Sequence, residues 1–207
     1  MTTAHAPRKQ VIGLVGGIGA GKSTVAAALL RHGGRLVSGD PIGHEALERP
    51  EILARVKEIW GGRGVLTERG TVDRKKLGRI VFPSPVERSR LEHVVHPYIE
   101  GRIREEIERA QADAAVRFIV LDAAVMIEAG WNSVCDKLVY VDAPRAVRLA
   151  RVQAQRGWSE QDLANREAVQ MPPESKKTLA DVVVDNAGPP DRTAAQVDAL
   201  MHDWNLV

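Results

Sequence analysis

Five short runs of apolar, often β-branched residues punctuate the chain: Val11–Val15, Arg35–Ser38, Val116–Leu121, Lys137–Val141 and Val182–Val184. Most are apolar at successive rather than alternate positions, the pattern of strands buried on both faces. Helical segments separate them. Strands and helices in this alternation predict a five-stranded parallel sheet covered on both sides, wound by right-handed crossovers into a doubly wound α/β fold. Two intervals are too long for a simple crossover. Residues 41–112 read as several helices, Glu51–Trp60, Asp73–Val81 and Pro85–Ala112, the last with Pro97 as an internal breaker. This predicts a helical insert that builds a substrate pocket. Residues 144–178 read as two helices joined near Gly157-Trp158-Ser159, with Ser159 as an N-cap. They carry Arg145, Arg148, Arg151, Arg156 and Arg166 and predict an arginine-bearing lid. Pro189–Trp204 reads as a closing helix. One domain is expected, with a core of 1–40, 113–143 and 179–207, an insert of 41–112 and a lid of 144–178.

Composition narrows the classes without naming one. The 207 residues are 44% hydrophobic and 27% charged, an ordinary globular balance. A net charge of +2 gives no reason to expect nucleic acid or an acidic membrane surface as partner, and no obligate protein partner is evident. The lone Cys135 permits neither an intrachain disulfide nor a cysteine zinc cluster. Met1–Gln10 are polar, without the apolar segment of a secretory signal, and no apolar run approaches the roughly 18 residues of a membrane span. The expectation is a cytoplasmic protein.

The chemistry begins where the first strand ends. Gly16 to Ser23 read G-x-x-x-x-G-K-[ST], between an apolar strand and the helix-forming run Thr24–Leu30. Strand, glycine-rich loop and helix, in that order, cradle phosphates: the loop's N–H groups turn inward and the helix N-terminus adds its positive end. The nucleotide-binding residues expected are Gly17, Gly19, Ala20, Gly21, Lys22, Ser23 and Thr24. Lys22 reaches the β- and γ-phosphates, and the Ser23 hydroxyl can ligate Mg²⁺ beside ATP. A turn of this kind that binds nothing is the lesser reading.

Carboxylates at the carboxyl ends of other strands fall on the same sheet edge. Asp40, after the second strand, can accept the proton of an attacking hydroxyl; as a mere loop residue it would instead cap the helix after Pro41. Asp122 closes the third strand, where a carboxylate holds Mg²⁺ directly or through water; a plain turn residue is the alternative. In the lid, Arg148 and Arg151 share a helix face. An arginine delivered by closure stabilises transferring phosphate and excludes water. Of the five arginines one or two are expected to act, and the others, Arg148 included, to be solvated. His93 and His96 lack a third metal ligand. Trp60 and Trp131 read as core.

Together these segments resemble the dephospho-coenzyme A kinases over essentially the whole chain, and with them the P-loop NTPase fold. The resemblance is carried by Gly13–Thr24, by Asp40 with His44, by Asp73-Arg74, Leu77 and Val81-Phe82, by His96-Pro97-Tyr98-Ile99, by Asn165-Arg166 through Gln170-Met171-Pro172, and by Leu179-Ala180-Asp181 with Asp185–Gly188. It implies ATP-dependent phosphorylation of the ribose 3′-hydroxyl of dephospho-coenzyme A. It implies Lys22, Asp40 and Arg151 as catalytic residues, with Asp40 the base. Arg156 and Asn186 then contact the nucleotide, Asn186 near adenine. His44, Arg74, His96 and Glu128, with Asp40, bind the acceptor, and Ser23 and Asp122 hold the metal. Two departures stand out. Ser38 replaces the first Asp of an Asp-x-Asp pattern. Ala123–Ile127 replaces a Pro-Leu-Leu segment, and this change is expected to raise KM for the acceptor more than it lowers kcat. The other readings are a kinase of a different small acceptor, such as a nucleoside monophosphate, and a nucleotide-binding module without transfer. A GTPase would need an Asn-Lys-x-Asp motif, which is absent.

Overall fold

The computed structural model describes residues 8–206. The first seven residues of the Met1–Gln10 segment therefore lie outside the described residues, as does residue 207 at the end of the expected core. Five strands, β1 (Val11–Gly16), β2 (Gly34–Ser38), β3 (Phe118–Asp122), β4 (Lys137–Asp142) and β5 (Val182–Asp185), form one sheet. The order is β2-β3-β1-β4-β5 and every pairing is parallel. The strands match the five apolar runs to within two residues at each end. β3 starts later than expected because Val116 N–H turns back onto Asp113 O, and it ends on Asp122 itself.

The alternation of side chains sorts the strands onto two cores. Val11, Val15, Ile119, Leu121, Leu138 and Tyr140 face one side; Ile12, Leu14, Phe118, Val120, Val139 and Val141 face the other. The second face is covered by α1 (Lys22–Leu30) and α9 (Pro190–Asp203), through Val25, Leu29, Val197 and Met201. The first is covered by the insert: α2 (Gly39–Ala46), α3 (Pro50–Trp60), α4 (Arg74–Val81) and α5 (Pro85–Ala112). Asp73 caps α4 by accepting from the Lys75 and Lys76 N–H groups, and Ser84 caps α5 by accepting from Glu87 N–H. Trp60 and Trp131 are buried, as expected; the Trp60 indole N–H donates to Glu87.

Three features differ from the sequence expectation. α5 runs 28 residues straight through Pro97. Proline costs the helix one hydrogen bond there, but Val95, Ile99, Ile103 and Ile107 lay a buried stripe on both sides of it that holds the axis to the core. α2 begins directly at the end of β2, so Asp40 sits in a helical first turn and the N-cap position falls to Ser38. The 144–178 segment holds three helices rather than two: α6 (Arg145–Arg156), α7 (Glu160–Glu167) and the short α8 (Pro173–Thr178). Ser159 does cap α7, in a reciprocal capping box with Asp162. Among the described residues no helix is long and apolar enough to cross a membrane.

Candidate active site

The site assembles at the carboxyl ends of β1, β2 and β3. Gly16 leaves β1 and the loop 17–21 curls onto the start of α1. Gly19 and Gly21 have φ of +77° and +90°, which only glycine adopts without strain. Space forbids a side chain as well: a Cβ on Gly21 would lie 2.1 Å from Asn186 Nδ2. No side chain caps α1 and no acidic residue stands in its first turn. Its N-terminal N–H groups and dipole are left for an anion.

Three charged groups lie on the edge of the sheet that carries this loop. Lys22 opens α1. Asp122 lies in register with Leu14 of β1 on one side and Ser38 of β2 on the other. Asp40 is exposed in the first turn of α2. Burial pushes the Lys22 ammonium below the ordinary lysine value, while Asp122 and Asp40 pull it back up and Lys176 and Arg156 press it down. Burial pushes the Asp122 carboxyl up, Lys22 opposes this and Asp40 adds to it. Lys22, Asp40 and Asp122 thus lie near enough for each charge to act on another, with both carboxylates at strand ends on the edge where the loop sits. Ser23 is exposed beside them on α1.

The lid arginines divide differently from the expectation. Arg148 is not solvated: it is 7% exposed. Its guanidinium donates to Ile18 O at 3.1 Å, to Ala143 O at 3.2 Å and to the Glu167 carboxylate. The partner that draws it inward is on α7, which a charge run on α6 cannot reveal. Arg151 donates to Ala20 O at 3.1 Å and to Asn186 O at 2.7 Å. Asn186 is 2% exposed, donates to Ala20 O at 2.7 Å and accepts from the Thr193 hydroxyl at 2.8 Å. These three side chains hold the outer, carbonyl side of the phosphate loop, so its N–H side faces the ligand. Asn186 is therefore turned onto the loop rather than toward open space. Arg156 lies close enough to Lys22 to lower its pKa.

Of the expected acceptor residues, His44 and Arg74 form a second group, while His96 and Glu128 stand apart from it. A cavity of about 1420 Å³ opens between the insert and the lid, with His44, Arg74, Leu77 and Phe82 on one wall and Asn165 and Arg166 on the other. The Arg74 guanidinium bonds to the His44 ring nitrogen. His96 is outside this wall, packed edge-on to Trp131 at 5.1 Å, and burial lowers its pKa. Glu128 accepts from Met171 N–H at 2.8 Å and pairs with the Lys176 ammonium at 2.9 Å, so it fastens the loop after β3 to the end of the lid. Lys176, 3% exposed, is the residue that sequence reading passed over. The only sign of it was a lysine pair between Pro172 and the last strand, indistinguishable from a solvated run.

Comparison with known proteins decides the family. The family model described as dephospho-CoA kinase matches residues 10–191. The chain belongs to the dephospho-CoA kinase family. It is 36% identical over 198 residues to a dephospho-CoA kinase of Bacillus licheniformis, covering 95% of this chain and 98% of that one. It is 34% identical over 210 residues to one of Deinococcus radiodurans, covering both completely. A crystal structure from Thermus thermophilus superposes with a TM-score of 0.80 at 32% identity, over 95% of this chain and 98% of that one. A shikimate kinase of Acinetobacter baumannii, at TM-score 0.51 and 16% identity over 95% and 94%, shares the fold. Membership makes this dephospho-CoA kinase family member an ATP-dependent kinase of the P-loop class.

Proposed function

We propose that the protein transfers the γ-phosphoryl group of ATP to the ribose 3′-hydroxyl of dephospho-coenzyme A, the last step of coenzyme A formation, in the cytoplasm. The observation that carries the reading is the phosphate loop leading into Lys22 at the start of α1, with Asp122 ending β3 and Asp40 just after β2 on the same sheet edge, beside the insert–lid cavity. A simple ATPase has no need of a carboxylate at the acceptor side or of an acceptor cleft this large.

The roles follow from position. The loop's N–H groups and Lys22 hold the β- and γ-phosphates and draw charge from the transferring group. Asp40, exposed in the first turn of α2, accepts the proton as the 3′-oxygen bonds to the γ-phosphorus. The bond from that phosphorus to the bridging oxygen breaks, and ADP leaves with the electron pair. The insert 41–112 orients the acceptor and the lid 144–178 excludes water, which would otherwise compete as acceptor. Arg156, near Lys22, meets phosphate charge. Arg151 reaches it through the loop carbonyls, or directly if closure releases its guanidinium.

The oxygen donors fit Mg²⁺. Among the described residues no three His, Cys, Asp or Glu side chains gather into an all-protein cage. One hydroxyl and a carboxylate, Ser23 and Asp122, are the sparse hard-oxygen set that Mg²⁺ takes when phosphate oxygens and water complete its shell. Bound there, it would neutralise charge on the β- and γ-oxygens.

The test is an acceptor panel. Dephospho-coenzyme A, AMP, CMP and adenosine are each incubated with ATP and Mg²⁺, and products are read by ³¹P NMR. A new 3′-phosphomonoester on dephospho-coenzyme A is the expected result. Phosphorylation of AMP alone would overturn the reading in favour of a nucleoside monophosphate kinase.

A further inference from the structure

Two lid arginines stand apart from the rest. Arg145 is paired with Glu160 and Glu167, and Arg148 with Glu167. Among the described residues, neither Arg156 nor Arg166 has a carboxylate within ion-pair distance. Both instead sit over the indole of Trp158, Arg156 at 4.8 Å and Arg166 at 4.1 Å from the ring centre. Two cations on one ring repel, and the ring offsets only part of that. Arg166 also lies 5.1 Å over the ring of Phe82, on the insert. Phe82 is 49% exposed, so part of its ring is open to the cavity.

The surroundings share this imbalance. Arg166 and Phe82 line the insert–lid cavity together with Arg74, Lys75 and Arg79. The acids on the same walls are already committed. Asp73 accepts from two helix N–H groups, and Asp162 accepts from Ser159 N–H and hydroxyl. Arg74, Lys75, Arg79 and Arg166 thus face only these two acids, and Asp162, one helical turn before Arg166, offsets only part of the positive charge. A guanidinium stacked by its face on aromatic rings keeps its in-plane N–H groups free for a bidentate anion.

We propose that Arg166, held between Trp158 on the lid and Phe82 on the insert, binds the diphosphate of the acceptor. This rests on dephospho-coenzyme A being the acceptor, whose diphosphate joins its adenosine to the pantetheine arm. The stack runs from α6 through the lid loop and α7 to the C-terminal end of α4. An anion on Arg166 relieves the repulsion between the two guanidiniums and fastens lid to insert. Acceptor occupancy is thereby coupled to the placement of Arg156 beside Lys22.

The test separates acceptor from donor. Steady-state kinetics are measured for the parent enzyme, Arg166→Ala, Arg166→Lys, Trp158→Phe and Phe82→Leu, with dephospho-coenzyme A and with adenosine, which has no diphosphate. Arg166→Ala is expected to raise KM for dephospho-coenzyme A on the order of 10- to 100-fold. KM for ATP and kcat/KM for adenosine should stay within about threefold. Lysine at 166 should recover part of the loss, and Trp158→Phe, which leaves a smaller ring face, and Phe82→Leu, at an exposed position that tolerates it, should each raise the acceptor KM several-fold. A parent enzyme that ignores dephospho-coenzyme A overturns the assigned reaction. A parent that turns it over, with the acceptor KM of Arg166→Ala and Phe82→Leu within twofold of it, overturns the role of Arg166 alone. A rise in KM for ATP instead would place Arg166 on the donor and equally refute the proposal.

Discussion

Removing the Arg148 guanidinium should destabilise the protein and loosen its phosphate loop. In Arg148→Ala the Ile18 and Ala143 carbonyls each lose a charged donor, and Glu167 loses the nearer of its two arginines. Deleting one partner of a buried ion pair costs about 3–5 kcal/mol. Here Glu167 is 21% exposed and keeps Arg145 at 3.3 Å, so the cost falls to roughly 2–4 kcal/mol. For a chain of this length that lowers Tm by roughly 6–12 °C. The guanidinium also lies directly under the loop, because a Cβ on Gly17 would meet Arg148 Nη1 at 2.9 Å. ATP affinity should therefore fall by on the order of tenfold. Urea unfolding gives the stability and calorimetric titration the ATP affinity. Arg148→Lys keeps the charge but has one nitrogen for three acceptors, and should recover less than half of the lost stability. An Arg148→Ala variant within about 0.5 kcal/mol of the parent, binding ATP normally, would refute the buried clamp and restore a solvated arginine.

Other consequences are as specific. Asn186→Asp replaces the amide that donates to Ala20 O with a carboxylate facing a carbonyl; a loss of about 2–3 kcal/mol and weaker ATP binding are expected, and an unchanged urea midpoint would contradict it. Lys22 has a lowered pKa in the free enzyme, and bound phosphate charge must raise it, so ATP binding at about pH 9 should take up protons. Titration in two buffers of different ionisation heat measures this, and proton release would show the sign to be wrong. Cys135, whose thiol burial pushes up to about 12, should resist alkylation in the native state; rapid labelling of folded enzyme would contradict the packing. Restoring proline at Ala124 should lower KM for dephospho-coenzyme A more than it changes kcat, and an unchanged KM would detach that loop from the acceptor.

What could be read before folding follows from what local sequence encodes. β1, the loop and α1 were legible because apolar runs, glycine positions and a Lys-Ser pair are local signals. The placement of Asp40 and Asp122 on one edge was legible because a parallel sheet puts successive strand ends there. The continuous α5 was not, because burial of Val95, Ile99 and Ile103 outweighs the local propensity of Pro97. Arg148 was misread and Lys176 passed over for a shared reason. Their carboxylate partners Glu167 and Glu128 lie 19 and 48 residues away, and a charged residue reveals nothing of its partner at that distance. The bond of Asn186 to Ala20, 166 residues earlier, was hidden in the same way.

The claim that this edge of the sheet phosphorylates an acceptor hydroxyl stands or falls most directly on Asp40. The decisive measurement is kcat for dephospho-coenzyme A in Asp40→Asn, with ATP affinity followed in parallel. The side chain is exposed, so the fold and ATP binding should survive. Loss of the proton acceptor should lower kcat by about 10²–10⁴-fold. Turnover near that of the parent would contradict the account and move the base elsewhere.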